Sequence, residues 1–283
     1  SVQFSQNLLA ETNDFELILD KADLSGLPSD IVDLAKLESE NKFSKNKDDK
    51  YKDKYVFTVQ RSSMYPFLTY STRRDLREKL YKGYIQRGDN NNEYDNKEIT
   101  SKIASLRVEK ANILGFESHA HYVLDNTMAK TPEAVYGLLN QLWAPALKRA
   151  KNELSEMQIL ANEEGNNFEI ASWDWWHYAE KVRKDKYDLD EEEIKEYFTL
   201  DNTIDGIFKT SNKLFGLTFE EKFDLDLYHP DARVWEVKDN DGSHVGLYIG
   251  DYYTRSSKRG GAWMSSFKSQ SNFDGKERPI IVN

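Results

Sequence analysis

Over most of the chain the apolar positions recur at helical spacing. Ile31, Leu34 and Leu37 stand three apart, and residues 1–40 read as helix. Leu76, Leu80 and Tyr84 share one face of a second helix, which Thr72 and Asp75 open with capping-box spacing. A third carries Ile99, Ile103, Leu106 and Leu114 and closes at Gly115, the residue best suited to a left-handed C-cap. Thr131-Pro132-Glu133 is a helix start: a capping hydroxyl, then proline at the first helical position. Val135, Leu138, Leu142, Leu147, Leu154 and Met157 continue that helix toward Gly165, with Pro145 inside it as a predicted kink. Ser172 opens a short helix bearing Trp173, Trp176 and Ala179. Asp190-Glu191-Glu192-Glu193 sets negative charge where a helix N-terminus favours it. Ile204, Ile207, Phe208 and Leu214 form a last apolar face, ended by Gly216. Between the first two helices, lysine-rich Asn41 to Lys54 reads as an exposed turn and Tyr55-Val56-Phe57-Thr58-Val59 as a short strand.

After Gly216 the period changes to two. Arg233-Val234-Trp235-Glu236-Val237 alternates, Asp239-Asn240-Asp241-Gly242 is a turn, and Val245, Leu247, Ile249 and Asp251 line one side of the returning run, with Tyr248 and Tyr252 on the other. Period and turn chemistry together predict a β-hairpin. Gly261-Ala262-Trp263-Met264 and Pro279-Ile280-Ile281-Val282 are further strand candidates. The expected fold is mainly α with a small β-sheet near the C-terminal end, an α+β arrangement: residues 1–216 form a helical body and residues 217–283 the strands.

Composition narrows the function classes. Ten more acidic than basic residues give a formal charge of −10, which does not suit a nucleic-acid partner or anionic lipid. No apolar run approaches the ~20 residues a membrane helix needs. The absence of cysteine excludes disulfides and thiolate-bound zinc within these residues. The chain opens Ser1-Val2-Gln3-Phe4 without a signal-peptide pattern and closes on an apolar strand. Both ends are what a piece cut from inside a longer protein would show.

Candidate chemistry is sparse. His119, His121, His177, His229 and His244 include no pair four apart on a helix, so there is no H-E-x-x-H. Neither a G-x-S-x-G elbow nor a glycine-rich phosphate loop is present. Trp173-Asp174-Trp175-Trp176-His177-Tyr178 would serve either as a glycan-stacking platform or, more simply, as a helix packing its rings inward. The residues by themselves describe an acidic, mostly helical domain with a β-hairpin and no complete active site.

Several stretches nevertheless resemble, in order, segments of one family. Arg87-Gly88-Asp89-Asn90-Asn91-Asn92-Glu93-Tyr94-Asp95-Asn96, Leu114-Gly115-Phe116-Glu117-Ser118-His119-Ala120 and Met128-Ala129-Lys130-Thr131-Pro132 are similar to helix-bounding segments of bacterial peptidyl-dipeptidases. Trp173-Asp174-Trp175, Tyr197-Phe198-Thr199-Leu200-Asp201-Asn202 and Tyr228-His229-Pro230-Asp231-Ala232-Arg233 continue the series. Gly250-Asp251-Tyr252-Tyr253-Thr254-Arg255 and Lys258-Arg259-Gly260-Gly261-Ala262-Trp263-Met264 form its most specific block. The chain thus resembles the zinc metallopeptidase family of peptidyl-dipeptidases, oligopeptidase A and thimet oligopeptidase.

That resemblance implies a helical ellipsoid with a deep channel for short peptides. It implies zinc held in the parent protein by an H-E-x-x-H segment and a downstream Glu beyond Asn283, with no zinc expected in this chain, which would then be inactive alone. It also implies that Gly261, Ala262 and Trp263 form a substrate-binding edge strand, since small residues let a peptide backbone approach. The implied partners are short peptides, with no nucleic acid and no membrane. Oligomeric state is left open, and the implied compartment is the cytoplasm, with the periplasm as alternative. A non-catalytic helical module that binds peptides or glycans is the competing reading.

Overall fold

The computed structural model describes residues 1–187, 191–261 and 264–282, with the side chains of Glu191 and Glu192 excepted. The chain divides into two units, residues 1–182 with 256–283, and residues 183–255.

The first unit is organised around a ribbon that helical periodicity conceals. Helix α1 (Val2–Asp14) ends where Phe15 becomes extended. Strand β1 (Leu17–Leu19) then pairs antiparallel with β2 (Tyr55–Phe57), Leu17 opposite Phe57. Residues 1–40 are therefore not continuous helix. Leu17, Leu19, Val56 and Phe57 become almost wholly buried, a gain that outweighs local helix propensity.

Helix α2 (Ser29–Asn46) packs on this ribbon through Ile31, Ala35 and Ser39, at four-residue steps, while Leu34 and Leu37 face outward. Asn41 to Lys54 is accordingly not one exposed turn. α2 runs to Asn46, and Tyr51 is buried, its hydroxyl donating to both Glu16 carboxylate oxygens at 2.9 Å. The main core joins these elements to α3 (Arg61–Tyr70) and α4 (Arg74–Ile85) through Val59, Met64, Phe67, Leu68 and Leu80, with Leu76 and Tyr84 packed alongside. No capping box forms at Thr72: its hydroxyl donates to Ser25 O at 3.2 Å, and Asp75 is engaged by the Arg73 guanidinium.

Helices α5 (Lys97–Ile113), α6 (His119–Leu124) and α7 (Pro132–Glu163) follow. Gly115 and Gly165 take the left-handed conformation just past two of them. At the start of α7 the Thr131 hydroxyl accepts from Ala134 N at 3.3 Å, and the helix continues through Pro145. A second core of Met157, Ala161 and Tyr178 forms where α7 meets α8 (Trp175–Tyr187).

In the second unit, α9 (Glu191–Lys195) and α10 (Leu200–Phe215) precede an antiparallel sheet of β3 (Thr218–Lys222), β4 (Arg233–Lys238) and β5 (His244–Gly250), in that order. The predicted hairpin is β4–β5; β3 was not foreseen. Asp190, placed by the sequence at a helix start, lies outside the described residues. In residues 256–283, β6 (Ser265–Lys268) pairs antiparallel with β7 (Ile280–Val282). The candidate strand from Gly261 to Met264 therefore precedes the observed one, and Ala262 and Trp263 lie outside the described residues. The architecture is mainly α with small antiparallel sheets, most of them toward the C-terminal end. Among the described residues no helix is long and apolar enough to cross a membrane.

Candidate functional site

The sequence directs attention to the hairpin and the segment after it. The hairpin is held by its turn: Asp239 N donates to Ser243 O at 2.9 Å, Asp241 Oδ1 accepts from Ser243 N at 2.9 Å, and Gly242 sits at φ +81. One face packs on α10, where Phe208 stacks on Phe219 at 4.0 Å and meets Trp235 edge-on at 5.3 Å. The other face carries Val245, Leu247 and Ile249, each about half exposed.

The exit from β5 is fixed by packing and charge. A Cβ on Gly250 would stand 2.6 Å from the Tyr252 ring, so only glycine fits there without moving that ring. The Tyr252 and Tyr248 hydroxyls are 2.6 Å apart, and burial, then this hydrogen bond, pushes the Tyr252 phenol up. Asp251 accepts two hydrogen bonds from Arg255, at 2.8 and 2.6 Å, and one from the Tyr228 hydroxyl at 3.1 Å. Burial, then the Asp251 carboxylate, raises the Tyr228 phenol. At the same end of the strand pair, opposite Gly250, Arg233 holds Glu221 at 2.7 and 3.0 Å and Asp201 at 2.8 Å. These are structural clamps, each carboxylate being committed to a guanidinium.

In the first unit, Ser256 O accepts from Asn13 Nδ2 at 3.0 Å, tying down the chain that leads to the predicted substrate residues. Gly261 is exposed at φ +119, a conformation that favours glycine, and among the described residues, its chain neighbours aside, no atom lies within 4 Å of where its Cβ would be. Of the three residues assigned to substrate, Gly261 alone is described; Ala262 and Trp263 lie outside the described residues. Space and backbone freedom at Gly261 are compatible with close approach of a second main chain.

The histidines do not converge. His121 is tied to Ser118 at the start of α6, Oγ to Nδ1 at 2.9 Å. His177 is buried with Nδ1 2.9 Å from Thr69 O; burial, then the charges of Arg77 and Lys181, hold it down to about 4 and keep it neutral. Among the described residues no three His, Asp or Glu side chains gather as metal ligands. The Trp-rich helix packs inward at Trp176, whose ring lies 5.7 Å from Tyr65 and 6.0 Å from Tyr81.

Sequence reasoning missed the strongest polar feature of the first unit. Asp174, fully buried, accepts from Arg74 Nε and Nη2 at 3.0 and 2.9 Å, from Arg77 Nη2 at 2.8 Å and from Ala171 N at 3.1 Å. An acid between two tryptophans was its only trace in the chain. A cleft of about 420 Å³ between α1 and α4, lined among others by Glu11, Phe15, Lys79 and Asn92, was likewise unforeseen.

The profile of peptidase family M3 matches residues 67–282. The dipeptidyl carboxypeptidase of Escherichia coli (strain K12) is 38% identical over 283 aligned residues, covering 99% of this chain and 40% of that protein. Oligopeptidase A of Salmonella typhimurium is 33% identical over 273 residues, 95% of this chain and 39% of that protein. A probable thimet oligopeptidase of Arabidopsis thaliana is 29% identical over 161 residues, 56% of this chain and 23% of that protein. The chain spans about two fifths of the length of the first two relatives.

Proposed function

The chain belongs to peptidase family M3, and from that premise we propose that it is part of a zinc metallopeptidase that acts on short peptides, releasing dipeptides from C-termini or cutting oligopeptides internally. One observation carries the reading: near-complete alignment, at 38% identity, with a protein named as a dipeptidyl carboxypeptidase. The residues present do not include a metal site among those described. In this reading the zinc, its ligands and the general base that activates the metal-bound water belong to the remainder of the longer polypeptide.

The contribution of this chain is then positional. Within the second unit, the Asp251–Arg255 clamp holds the chain as it exits the hairpin. Gly261-Ala262-Trp263 follows in sequence and offers main-chain pairing to an extended peptide, with the small residues leaving room for it. Pairing through the backbone is tolerant of peptide sequence, which suits a peptidase of broad specificity. Residues 1–283 by themselves hydrolyse nothing, and the longer protein works in the cytoplasm.

The test is hydrolysis of short fluorogenic peptides by the full-length polypeptide and by residues 1–283, with a chelator control. Chelator-sensitive cleavage by the first and none by the second is expected. Cleavage by residues 1–283, or none by the full-length protein, would overturn the proposal. Gly261→Val in the full-length protein is expected to raise KM with little change in kcat, because it obstructs a ground-state contact.

A further inference from the structure

The middle of α7 is an extended exposed apolar feature of the first unit. Residues 136–152 of this helix are exposed without exception, yet they include Leu138 (60% exposed), Leu139 (51%), Leu142 (56%) and Trp143 (66%). At 100° per residue these side chains and Leu147 spread over roughly half the helix circumference. Gln141, Lys148 and Ser155 occupy the opposite side. The arrangement is that of a helix with a broad core-facing side and a narrow solvent side, not of a free-standing surface helix.

The stripe is also continuous with a formed core. Following Leu139 and Trp143 down the helix at three- and four-residue steps leads through Leu147, Ala150 and Leu154 to Met157 and Ala161. Those last two are 2% and 0% exposed, packed against Tyr178. The same face is thus buried at the C-terminal end of α7 and bare along its middle.

We propose that this stripe is an intramolecular docking face, covered by two amphipathic helices from the part of the longer polypeptide outside residues 1–283. Two observations select that occupant over a second copy of the chain. The related dipeptidyl carboxypeptidase has more than half its length outside the matched region, since the match covers 40% of it. The apolar arc is also too wide for one partner helix: a symmetric pairing of α7 with its own copy covers about 100° of it and leaves Leu138 or Leu147 in water.

The experiment is hydroxyl-radical footprinting of the full-length polypeptide, native and urea-unfolded, read by mass spectrometry at Leu138, Leu139, Leu142 and Trp143. We expect modification at least about tenfold lower in the native protein, unchanged on dilution. Native modification within about twofold of the unfolded chain would overturn the proposal. So would protection that is lost on dilution, because the cover would then be a second copy. A full-length protein that protects these residues but cleaves no peptide would refute the peptidase reading and leave this one standing.

Discussion

Asp174→Ala is the most informative single perturbation of the fold. Asp174 has no exposed side-chain surface, and Arg77 is 2% exposed. Besides its bond to Asp174, Arg77 donates to Ser71 O at 2.6 Å and Trp173 O at 3.3 Å. Removing the carboxylate leaves the Arg77 guanidinium buried without a counter-charge, and Arg74 loses its two bonds to the same group. The pair itself need not stabilise much, because desolvation offsets most of its attraction. Stranding one partner is what costs, typically ~3–5 kcal/mol. Urea unfolding followed by Trp fluorescence should show that loss as a lower midpoint at unchanged slope. The double variant Arg77→Met/Asp174→Leu removes both charges and should recover at least about half of the loss. A cost below ~1 kcal/mol for Asp174→Ala, or a double variant no more stable than the single, would refute the claim that burial governs this cluster.

Neutral His177 makes stability depend on pH. Its folded value of about 4 lies below the unfolded value of ~6.5, so the native state resists protonation. The stabilisation is complete above pH ~6.5 and is lost as pH falls toward 4, by up to ~3 kcal/mol; His177→Gln should flatten the urea-midpoint profile over that window. Gly83→Ala should destabilise by ~1–3 kcal/mol despite alanine's better helix propensity, because its Cβ would stand 2.1 Å from the Phe15 ring. Thermal melts should show Phe15→Leu relieving part of that cost. Thr131→Ala should cost ~1 kcal/mol by removing the hydroxyl that caps α7, measurable in the same melts.

What was legible in the sequence is what local chemistry determines. Asp239-Asn240-Asp241-Gly242 specified the hairpin because the turn needs Gly242 at φ +81 and an Asp241 side chain that caps Ser243 N. Thr131, Gly115 and Gly216 marked helix ends for equally local reasons. β1 was not legible, because a short apolar run reads as helix or strand alike until its partner, nearly 40 residues away, is known. β3 was hidden by Glu220 and Glu221, whose charges are matched across the sheet by Lys238 and Arg233. The same limit hid Asp174: nothing near it in the chain announces that Arg74 and Arg77 will meet it. Of the candidate substrate residues Gly261, Ala262 and Trp263, only Gly261 lies among the described residues, exposed and at φ +119.

We propose that these residues are the substrate-side portion of an enzyme whose metal is held elsewhere in a longer polypeptide. Metal analysis by inductively coupled plasma mass spectrometry, on the full-length protein and on residues 1–283 after the same dialysis, tests it most directly. About one zinc per full-length chain is expected, and none retained by residues 1–283. A full-length protein without bound zinc, or stoichiometric zinc on residues 1–283 alone, would contradict it.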